Sequence, residues 1–468
     1  MQNKIAYFWA FVGRFLPQGV YLITTIILAR FLSPDDFGQI GVLSVIFIIA
    51  NMLMDSGLGG SLVKEKEISK IDCSTIFVFN ILVSHFIYII LFFCSDIIEL
   101  YFKYQGLSMV VKIICLVFLI NSWGLVSKSL LVRNLQFKKI SIIAIIAVLI
   151  SAFTSVILAV YNYGVYSLVA YQLINALIIS VLSIYFSPFR ISFKFNVDSL
   201  KRLIPFGFFT TLTTIIDTLY ENMITIIIGR YYNMQQAGYL YQAKKIEEVP
   251  SSSFIITVNS VSFPILTKLK DSKCDFTLEA NRILTTITTF LLPVLFMLIF
   301  YSEDVITLLY GNQWIEASKY FSLLIYAAVF ILLENLNRNF IKSLGKVNLL
   351  FYYTIFKRFV GISLILLFAF YSIHYLVHAY ILSSLIGFLI NNFLYSKLIE
   401  ENWIKQIYII LKPLVPCLFF GITSGILFFF FGKSFYVIVF NIISFILMYL
   451  YLLRDVNICS YLHKYIKK

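Results

Sequence analysis

The chain has 468 residues, of which 60% are hydrophobic and only 13% are charged. A soluble domain is roughly 45–50% apolar and about 25% charged, so this composition excludes an ordinary soluble protein. The formal net charge is +14, but membrane proteins carry such an excess in their cytoplasmic loops, and we expect no nucleic-acid partner.

Nothing in the sequence has the spacing of a metal, cofactor or nucleotide site. The six cysteines and four histidines are scattered, without a C-x-x-C pair or a zinc pattern. The glycine-rich loop that binds nucleotide phosphates is also missing from the sequence. We therefore expect no cofactor, no bound metal and no enzymatic activity.

Long apolar segments follow one another along the whole chain, and a membrane span needs about 20 mostly apolar residues. Their centres lie near Val20, Ile48, Tyr88, Leu119, Ile150, Leu177, Asp217, Pro250, Leu291, Val329, Ile362, Ile386, Phe420 and Ser444. In lipid every backbone polar group must be paired internally, and segments of this length pair them as helices. The pattern predicts an all-α integral membrane protein with about 14 transmembrane helices.

Basic residues are concentrated in every second connection between the predicted spans, and this pattern indicates how the chain is oriented in the membrane. If the N-terminus is inside, Lys64, Lys128, Arg190 and Lys268 lie with most other cations in cytoplasmic connections. The opposite connections, such as residues 33–36, are nearly free of them. By the positive-inside rule, this contrast predicts that both termini are cytoplasmic.

An internal repeat suggests two related halves. ILARFL (residues 27–32) precedes Phe37-Gly38, and IIGRYY (residues 227–232) precedes Ala237-Gly238. A weaker match pairs residues 166–171 with 375–380. Such duplications are typical of transporters with a central site between the halves. We predict two six-helix bundles related by a pseudo-two-fold axis, residues 1–200 and 201–400, with two further helices and a cytoplasmic tail in residues 401–468.

Ionisable side chains inside predicted spans indicate function, because each costs about 2.5–3.5 kcal/mol near the bilayer centre. They are Arg14, Asp217, Glu221, Lys244, Lys245, Glu247, Glu334, Arg338, Lys357 and Arg358. Arg14 has no acidic residue within a turn of its helix, so we expect it to face a cavity. The number of cations favours an anionic substrate such as a phosphate.

Several of these charges also have a purely structural interpretation. Glu221 and Lys245 lie at similar predicted depths and could form an ion pair between neighbouring helices. Glu334 and Arg338 are four residues apart, which favours a local salt bridge. Lys357 and Arg358 could extend to the cytoplasmic interface, as long basic side chains commonly do.

Two sequence blocks resemble the polysaccharide transporter family, which includes the O-antigen and colanic-acid flippases and belongs to the multidrug/oligosaccharidyl-lipid/polysaccharide exporter superfamily. ARFLSPDDFG (residues 29–38) resembles the opening of these proteins, and DSGLGGSLV (residues 55–63) resembles their D-x-G-L-G-x-x-L motif. Residues 228–230, 238–241 and 308–314 extend the match. The motif residues are Arg30, Asp36, Phe37, Gly38, Asp55, Gly57, Gly229, Arg230 and Gly238.

The resemblance implies a flippase that moves an undecaprenyl-diphosphate-linked oligosaccharide, an O-antigen, capsule or exopolysaccharide repeat unit, to the outer leaflet of the bacterial inner membrane. It implies alternating access of a V-shaped cavity, and a diphosphate contact for Arg14. Partners would be the lipid-linked substrate, the bilayer, and a polysaccharide polymerase with chain-length machinery. We expect Arg14, Lys244, Lys245, Lys357 and Arg358 to bind substrate. For Asp217, Glu221, Glu247, Glu334 and Arg338 we expect ion coupling or helix pairing.

Two other functions remain open on the sequence. A cation-coupled multidrug exporter of the same superfamily would favour carboxylates in its cavity, whereas cations are at least as common here. A membrane polysaccharide polymerase or ligase would need a sizeable outer loop for its catalytic residues, and the predicted outer connections are all short. A structural scaffold would gain little from charges inside the membrane.

Overall fold

The computed structural model describes the backbone of residues 2–55, 58–65, 67–432 and 435–454. Within these ranges, the side chains left undescribed are those at 2–7, 10, 55, 58, 64, 203–214, 216–217, 252–254, 256–261, 431, 435–436, 447–448 and 450–454. Over the described ranges every regular element is a helix.

The helices of the first part of the chain are α1 (Gln2–Phe31), α2 (Pro34–Asp55), α3 (Leu58–Lys64), α4 (Lys70–Phe102), α5 (Leu107–Ile114), α6 (Leu116–Arg133), α7 (Phe137–Val160), α8 (Val165–Phe186) and α9 (Val197–Tyr231). Those that follow are α10 (Met234–Lys268), α11 (Lys273–Phe300), α12 (Ser302–Tyr310), a 3₁₀ turn (Asn312–Trp314), α13 (Ala317–Ser343), α14 (Val347–Phe368), α15 (Ile373–Ile399), α16 (Trp403–Leu411), α17 (Leu414–Phe431) and α18 (Phe435–Arg454).

Each predicted segment centre lies in a different helix. Eleven spans among the described residues are long and apolar enough to cross a membrane. The three remaining centres lie in α9, α10 and α18, which contain undescribed side chains. The predicted all-α membrane fold is therefore confirmed, and the number of about 14 spans holds approximately.

Polar side chains in the connections fix where two of the long helices begin. At the start of α4, the Ser69 hydroxyl accepts from the Asp72 N–H, and the Asp72 carboxylate accepts from the Ser69 N–H, each at 3.0 Å. At the start of α9, the Asn196 side chain accepts from the N–H groups of Asp198 and Ser199. These caps satisfy donors that a helix end leaves unpaired, so the spans begin at defined residues.

The chain forms two compact units. Unit 1 comprises Met1–Ile246, Ile306–Ala317 and Ala369–Ile373. In it α1 packs on α7, α7 on α8, and α8 and α4 on α6. The predicted division into bundles 1–200 and 201–400 with an extension at 401–468 stays a prediction.

Small residues allow the helices of unit 1 to approach closely. A Cβ added at Gly13 would lie 2.1 Å from the Ser141 hydroxyl, and one at Gly124 would lie 2.6 Å from the Ser180 Cα. Close backbone approach at small residues is the usual way in which membrane helices associate, because lipid leaves little hydrophobic driving force between them. The two glycines therefore set the spacing of α1 from α7 and of α6 from α8.

Unit 2 comprises Glu247–Val305, Ser318–Phe368 and the described residues from His374 onward. One apolar cluster of its described residues includes Phe276, Phe340 and Tyr395. Another apolar cluster joins α11, α17 and α18 and consists of Tyr301, Cys417, Phe420, Phe445 and Tyr449. Two hydrogen bonds hold this cluster, from Asn441 Nδ2 to the Tyr301 hydroxyl at 3.0 Å and from the Tyr449 hydroxyl to the Thr289 carbonyl at 2.6 Å.

Candidate functional site: an amide-lined cavity in unit 1

A cavity of about 800 Å³ lies within unit 1, between α2, α3, α6 and α8. Its volume is within the range of about 300–1,000 Å³ that is usual for ligand sites. Its described lining is Phe47, Ile48, Asn51, Met52, Met54, Gly59, Gly60, Val63, Val117, Asn121, Gly124, Leu125, Lys128, Ser129, Val132, Tyr171, Gln172, Asn175, Ala176, Ile179 and Ser180. Gly59 and Gly60 belong to the second family-like motif, so that motif forms part of the wall.

Side-chain amides supply most of the cavity's hydrogen-bonding capacity. Asn121 on α6 and Gln172 on α8 make no hydrogen bond with any residue that the structure describes. Asn51 donates to the Phe47 carbonyl at 2.9 Å, and Asn175 donates to the Ser151 hydroxyl at 3.4 Å. Since an amide has two donors and one acceptor oxygen, all four retain capacity for a ligand.

Among the described lining residues, Lys128 is the one with a charged side chain. It is exposed on α6 and makes no hydrogen bond or ion pair with a described residue. Asn121, Gly124 and Lys128 follow one another at intervals of three and four residues, which places them on one face of the helix. The cavity thus combines neutral hydrogen-bonding groups with one ammonium group.

A smaller cavity of about 110 Å³ shares Tyr171 and Gln172 with the larger one. The rings of Tyr21 and Tyr171 lie 5.4 Å apart at this point. Tyr171 and Gln172 therefore lie where the wide space adjoins the narrow one.

Hydrogen bonds to main-chain carbonyls hold two walls of the larger cavity in place. Ser180 Oγ on α8 donates to the Ile120 carbonyl on α6 at 2.9 Å. Arg133, the last residue of α6, donates to the carbonyl of Leu62 in α3 at 2.7 Å and also to that of Glu65. These bonds satisfy carbonyls that the short helix α3 would otherwise leave unpaired.

The five cations predicted to bind substrate are absent from the described lining of this cavity. Arg14 is exposed on α1 and makes no hydrogen bond or ion pair with a described residue. Lys244 donates to the Glu221 carbonyl at 3.1 Å and to the Asn222 side chain at 2.9 Å. Lys245 lies 5.4 Å from the centre of the Tyr241 ring. The predicted pair of Glu221 with Lys245 stays a prediction.

Three further predicted residues lie on α14, α10 and α9. Arg358 is half-buried on α14. Glu247 accepts a hydrogen bond from the hydroxyl of Ser251, one turn along α10. Asp217 lies in α9, and its side chain is outside the described residues.

A buried ion pair joins α13 and α14 in unit 2. Glu334 forms a salt bridge with Lys357, so the prediction that Glu334 pairs with Arg338 on its own helix was wrong. The prediction that Lys357 extends to the interface was also wrong, because its side chain is only 3% exposed. Sequence spacing identifies neighbours on one helix, whereas this partner comes from the next one.

A third helix closes over this pair. A Cβ added at Gly387 on α15 would lie 2.7 Å from Glu334 Oε2, and Asn391 Nδ2 donates to the Glu334 carbonyl at 3.4 Å. Gly387 therefore leaves the space that the carboxylate occupies. A buried pair of this kind fixes helices in register but leaves a costly unpaired charge if one partner is removed.

The two copies of the repeat contact each other reciprocally within unit 1. A Cβ added at Gly38 would lie 2.0 Å from the Met234 carbonyl oxygen, and one at Gly238 would lie 1.8 Å from the Pro34 carbonyl oxygen. Position 38 thus contacts position 234, and position 238 contacts position 34. Positions 34 and 234 are equivalent in the repeat, as are 38 and 238, so the two contacts are the same contact made from each side. Reciprocal contact is what a two-fold relation produces, so the geometry supports the repeat found in the sequence.

A third segment, residues 308–314, joins this contact, and we call the three segments (29–38, 229–238 and 308–314) the clasp. The Ala29 carbonyl accepts from Gln313 Nε2 at 2.6 Å and from Trp314 Nε1 at 2.7 Å. Arg30 Nη2 donates to the Leu308 carbonyl at 2.8 Å. The end of α1 is thereby bonded to the end of α12.

Aromatic rings fill the interior of the clasp. The fully buried Trp314 lies 5.3 Å from the ring of Phe37, 5.9 Å from Tyr239 and 5.7 Å from Tyr310. Burial raises the pKa of the Tyr310 phenol, so its hydroxyl stays protonated at neutral pH. Rings at these distances and angles contribute about 0.5–1.5 kcal/mol per pair beyond their buried area.

The remaining motif residues cap and pack helix ends. The Asp36 carboxylate accepts from the N–H and the hydroxyl of Ser33. Arg230 stacks 4.9 Å above the Tyr101 ring, and its Nη1 has no hydrogen-bond partner among the described residues. A Cβ at Gly229 would lie 2.4 Å from the Val42 side chain. The Asp55 side chain and Gly57 lie outside the described residues.

Residues 27–319 match the family described as "Polysaccharide biosynthesis protein". This region contains the whole clasp and every described residue of the larger cavity's lining. The chain belongs to this family. Its membership accounts for the sequence blocks that resemble polysaccharide transporters, since these blocks lie inside the matched region.

Two relatives of this family member are named for polysaccharide assembly. The Escherichia coli lipopolysaccharide biosynthesis protein WzxC is 24% identical over 77% of this chain and 73% of its own length. The Rhizobium meliloti succinoglycan biosynthesis transport protein ExoT is 24% identical over 75% of this chain and 71% of its own. Both alignments cover more than two thirds of each protein.

Among solved structures, the lipid II flippase MurJ in an inward-closed conformation has a similar fold. The TM-score is 0.76, over 96% of this chain and 99% of that one, at 17% sequence identity. At this identity the similarity establishes the fold and leaves the substrate to be argued from the site.

Proposed function

We propose that this protein is a flippase that moves a lipid-linked oligosaccharide from the cytoplasmic to the outer leaflet of the bacterial inner membrane. The observation that carries the proposal is the amide-lined cavity of about 800 Å³ inside a bundle of membrane helices. Amide side chains are suited to hydroxyl-rich sugars, since they both donate and accept hydrogen bonds. The names of the family and of its relatives, which refer to polysaccharide synthesis and transport, support it further.

The proposed substrate is an undecaprenyl-diphosphate-linked repeat unit of an O-antigen, capsule or exopolysaccharide. The saccharide would occupy an aqueous interior, while the prenyl chain would remain in the surrounding lipid. Movement of two helical halves about the pseudo-two-fold axis would then expose the head group on the other side. In this proposal both termini are cytoplasmic, and a polymerase with its chain-length machinery receives the product.

A reconstituted assay tests the function directly. We expect proteoliposomes containing the full chain to expose an added undecaprenyl-diphosphate-linked oligosaccharide to an external glycosidase, whereas protein-free vesicles keep the inner-leaflet fraction protected. Export of a lipophilic cationic drug without any movement of the lipid-linked sugar would instead favour a multidrug exporter.

Arg14 is our candidate for the contact with the diphosphate. It is an exposed cation with no hydrogen bond or ion pair to a described residue, whereas Lys244 and Lys357 are held by protein groups. A guanidinium binds phosphate through two parallel hydrogen bonds, which a protein-bound ammonium cannot match.

Replacing Arg14 with Ala should lower the transport rate about 10- to 100-fold, since a hydrogen bond to a charged group contributes about 1.5–3 kcal/mol. The amount of surface polysaccharide is measured in a strain that lacks its own flippase. The amount of the variant protein in the membrane is measured in the same cells. Arg190→Ala is the matched control, because Arg190 is exposed in the connection between α8 and α9. Full export by Arg14→Ala at normal protein levels would contradict the role.

A further inference from the structure

Resting on the proposed function, we propose that the cavity of unit 1 binds the saccharide itself, through the side chains of Asn121 and Gln172, and that Lys128 selects a ligand carrying an anionic group next to the sugar. The ligand class is therefore an acidic oligosaccharide or a sugar attached to a diphosphate. Both sources share one chemistry, an oxyanion adjacent to hydroxyl groups.

The amides of Asn121 and Gln172 are the first part of the argument. They lie on different helices, α6 and α8, and both line the same space without a hydrogen bond to any described residue. Polar groups inside a membrane protein cost free energy unless they are paired, and in this setting they usually mark a pathway or a site. Two unpaired amides that face one cavity therefore point to a ligand rich in donors and acceptors.

The shape of the cavity is the second part. Tyr171 and Gln172 are adjacent on α8 and line both the wide and the narrow cavity. A sugar ring has apolar C–H faces and polar edges, so an aromatic ring beside an amide matches both. Gly59 and Gly60 on α3 line the wider cavity as well and add no side chain of their own to its wall.

The charge of Lys128 is the third part. Among the described lining residues it is the one charged group, and no carboxylate is among them to neutralise it. Because Lys128 is exposed on α6, its ammonium is accessible to an oxyanion of a ligand in the cavity and can donate a charge-assisted hydrogen bond to it. A wholly neutral saccharide leaves this charge unpaired, so anionic ligands are favoured.

The test uses proteoliposomes of the full chain and two substrates on the same undecaprenyl diphosphate, one with a neutral trisaccharide and one in which a hexose is replaced by a uronic acid. Lys128→Gln should lower the rate for the acidic substrate about tenfold, as expected for a charge-assisted contact. The rate for the neutral substrate falls equally if the ammonium contacts the diphosphate and changes little if it contacts the uronate. Unchanged rates for both substrates would overturn the role of Lys128.

The amides are tested by Asn121→Leu and Gln172→Leu, each of which should lower transport of both substrates about tenfold through lost hydrogen bonds. Gln172→Glu keeps the size of the side chain and should reduce the acidic-to-neutral rate ratio, because it adds a like charge beside the acidic ligand. This ratio is measured within one variant and does not depend on how much protein folds. A ratio equal to that of the unmodified chain would overturn the saccharide assignment.

Matched controls separate this inference from the proposed function. Lys194→Gln and Asn134→Leu change an exposed lysine and an exposed asparagine that are not in the cavity lining, so both should leave the rates unchanged. If the unmodified chain moves neither lipid-linked substrate, the proposed function itself fails. If it moves them and the cavity variants behave like the controls, only the cavity inference fails.

Discussion

Gly238→Ala should prevent most of the chain from reaching its folded state in the membrane. The added Cβ would lie 1.8 Å from the Pro34 carbonyl oxygen, 2.7 Å from its carbon and 3.0 Å from the Gly38 nitrogen. All three are backbone atoms, which cannot rotate away as a side chain can. Overpacking commonly costs about 1–3 kcal/mol and sometimes more, and we expect this position to exceed that range.

Two companion variants make the test specific. Gly38→Ala should have a similar effect, because its Cβ would lie 2.0 Å from the Met234 carbonyl oxygen on the reciprocal side. Gly19→Ala is the control, since no atom lies within 4 Å of a Cβ at that helical position. It should be neutral or slightly stabilising, because alanine favours a helix by about 0.5–1 kcal/mol over glycine.

The melting temperature and the monodisperse fraction of all three glycine variants are measured in the same detergent, by thermal unfolding followed by size-exclusion chromatography. We expect a clear loss of the monodisperse fraction for Gly38→Ala and Gly238→Ala, with Gly19→Ala equal to the unmodified chain. Equal melting temperatures for all four proteins would mean that the two repeat copies are not in close contact.

Lys357→Met is the second large effect that we expect. The change leaves Glu334 buried without its counter-charge between α13, α14 and α15. Breaking a buried ion pair from one side costs about 3–5 kcal/mol, since the remaining charge is uncompensated. The melting temperature in detergent should fall substantially, and Glu334→Gln should lower it for the same reason.

The double variant Glu334→Gln/Lys357→Met distinguishes the interaction between the two charges from the effect of each side chain on its other neighbours. Removing both charges eliminates the unpaired group, so the loss should be smaller than the sum of the two single losses. The exposed pair of Glu401 with Lys405, at 2.7 Å, is the control. Lys405→Met should cost no more than about 0.5 kcal/mol, as exposed i,i+4 pairs do. Additive losses at Glu334 and Lys357 would show that the two side chains are not coupled.

The membrane helices could be predicted because each apolar segment contains its own signal. A run of about 20 apolar residues is recognisable without knowledge of its neighbours. The repeat was recognisable for a related reason, since the glycines at 38 and 238 are required by one contact that both copies make. These motifs contribute to folding through helix capping and close packing. That contribution depends on tertiary contacts, which the spacing of residues along the chain does not indicate.

The partner of Glu334 could not be predicted from spacing, because Lys357 is on another helix and only tertiary packing brings it near. Lys128 was assigned to a cytoplasmic connection, although it projects from the face of α6 that lines the cavity. Asn121 and Gln172 were missed because uncharged amides in an apolar span give a weak signal. The three- and four-residue spacing of Asn121, Gly124 and Lys128 would have identified that face.

The bond between Trp314 and the Ala29 carbonyl constrains the order of assembly during synthesis. The two residues are 285 positions apart, so the ribosome has produced about two thirds of the chain before this bond can form. Until then α1 ends in carbonyls that lack their final donors, and the first repeat copy must wait for the second before either is fully packed. Until then the early helices are held only by their packing on one another, such as α1 on α7, and this is the interval in which a chaperone or insertase has the most to protect.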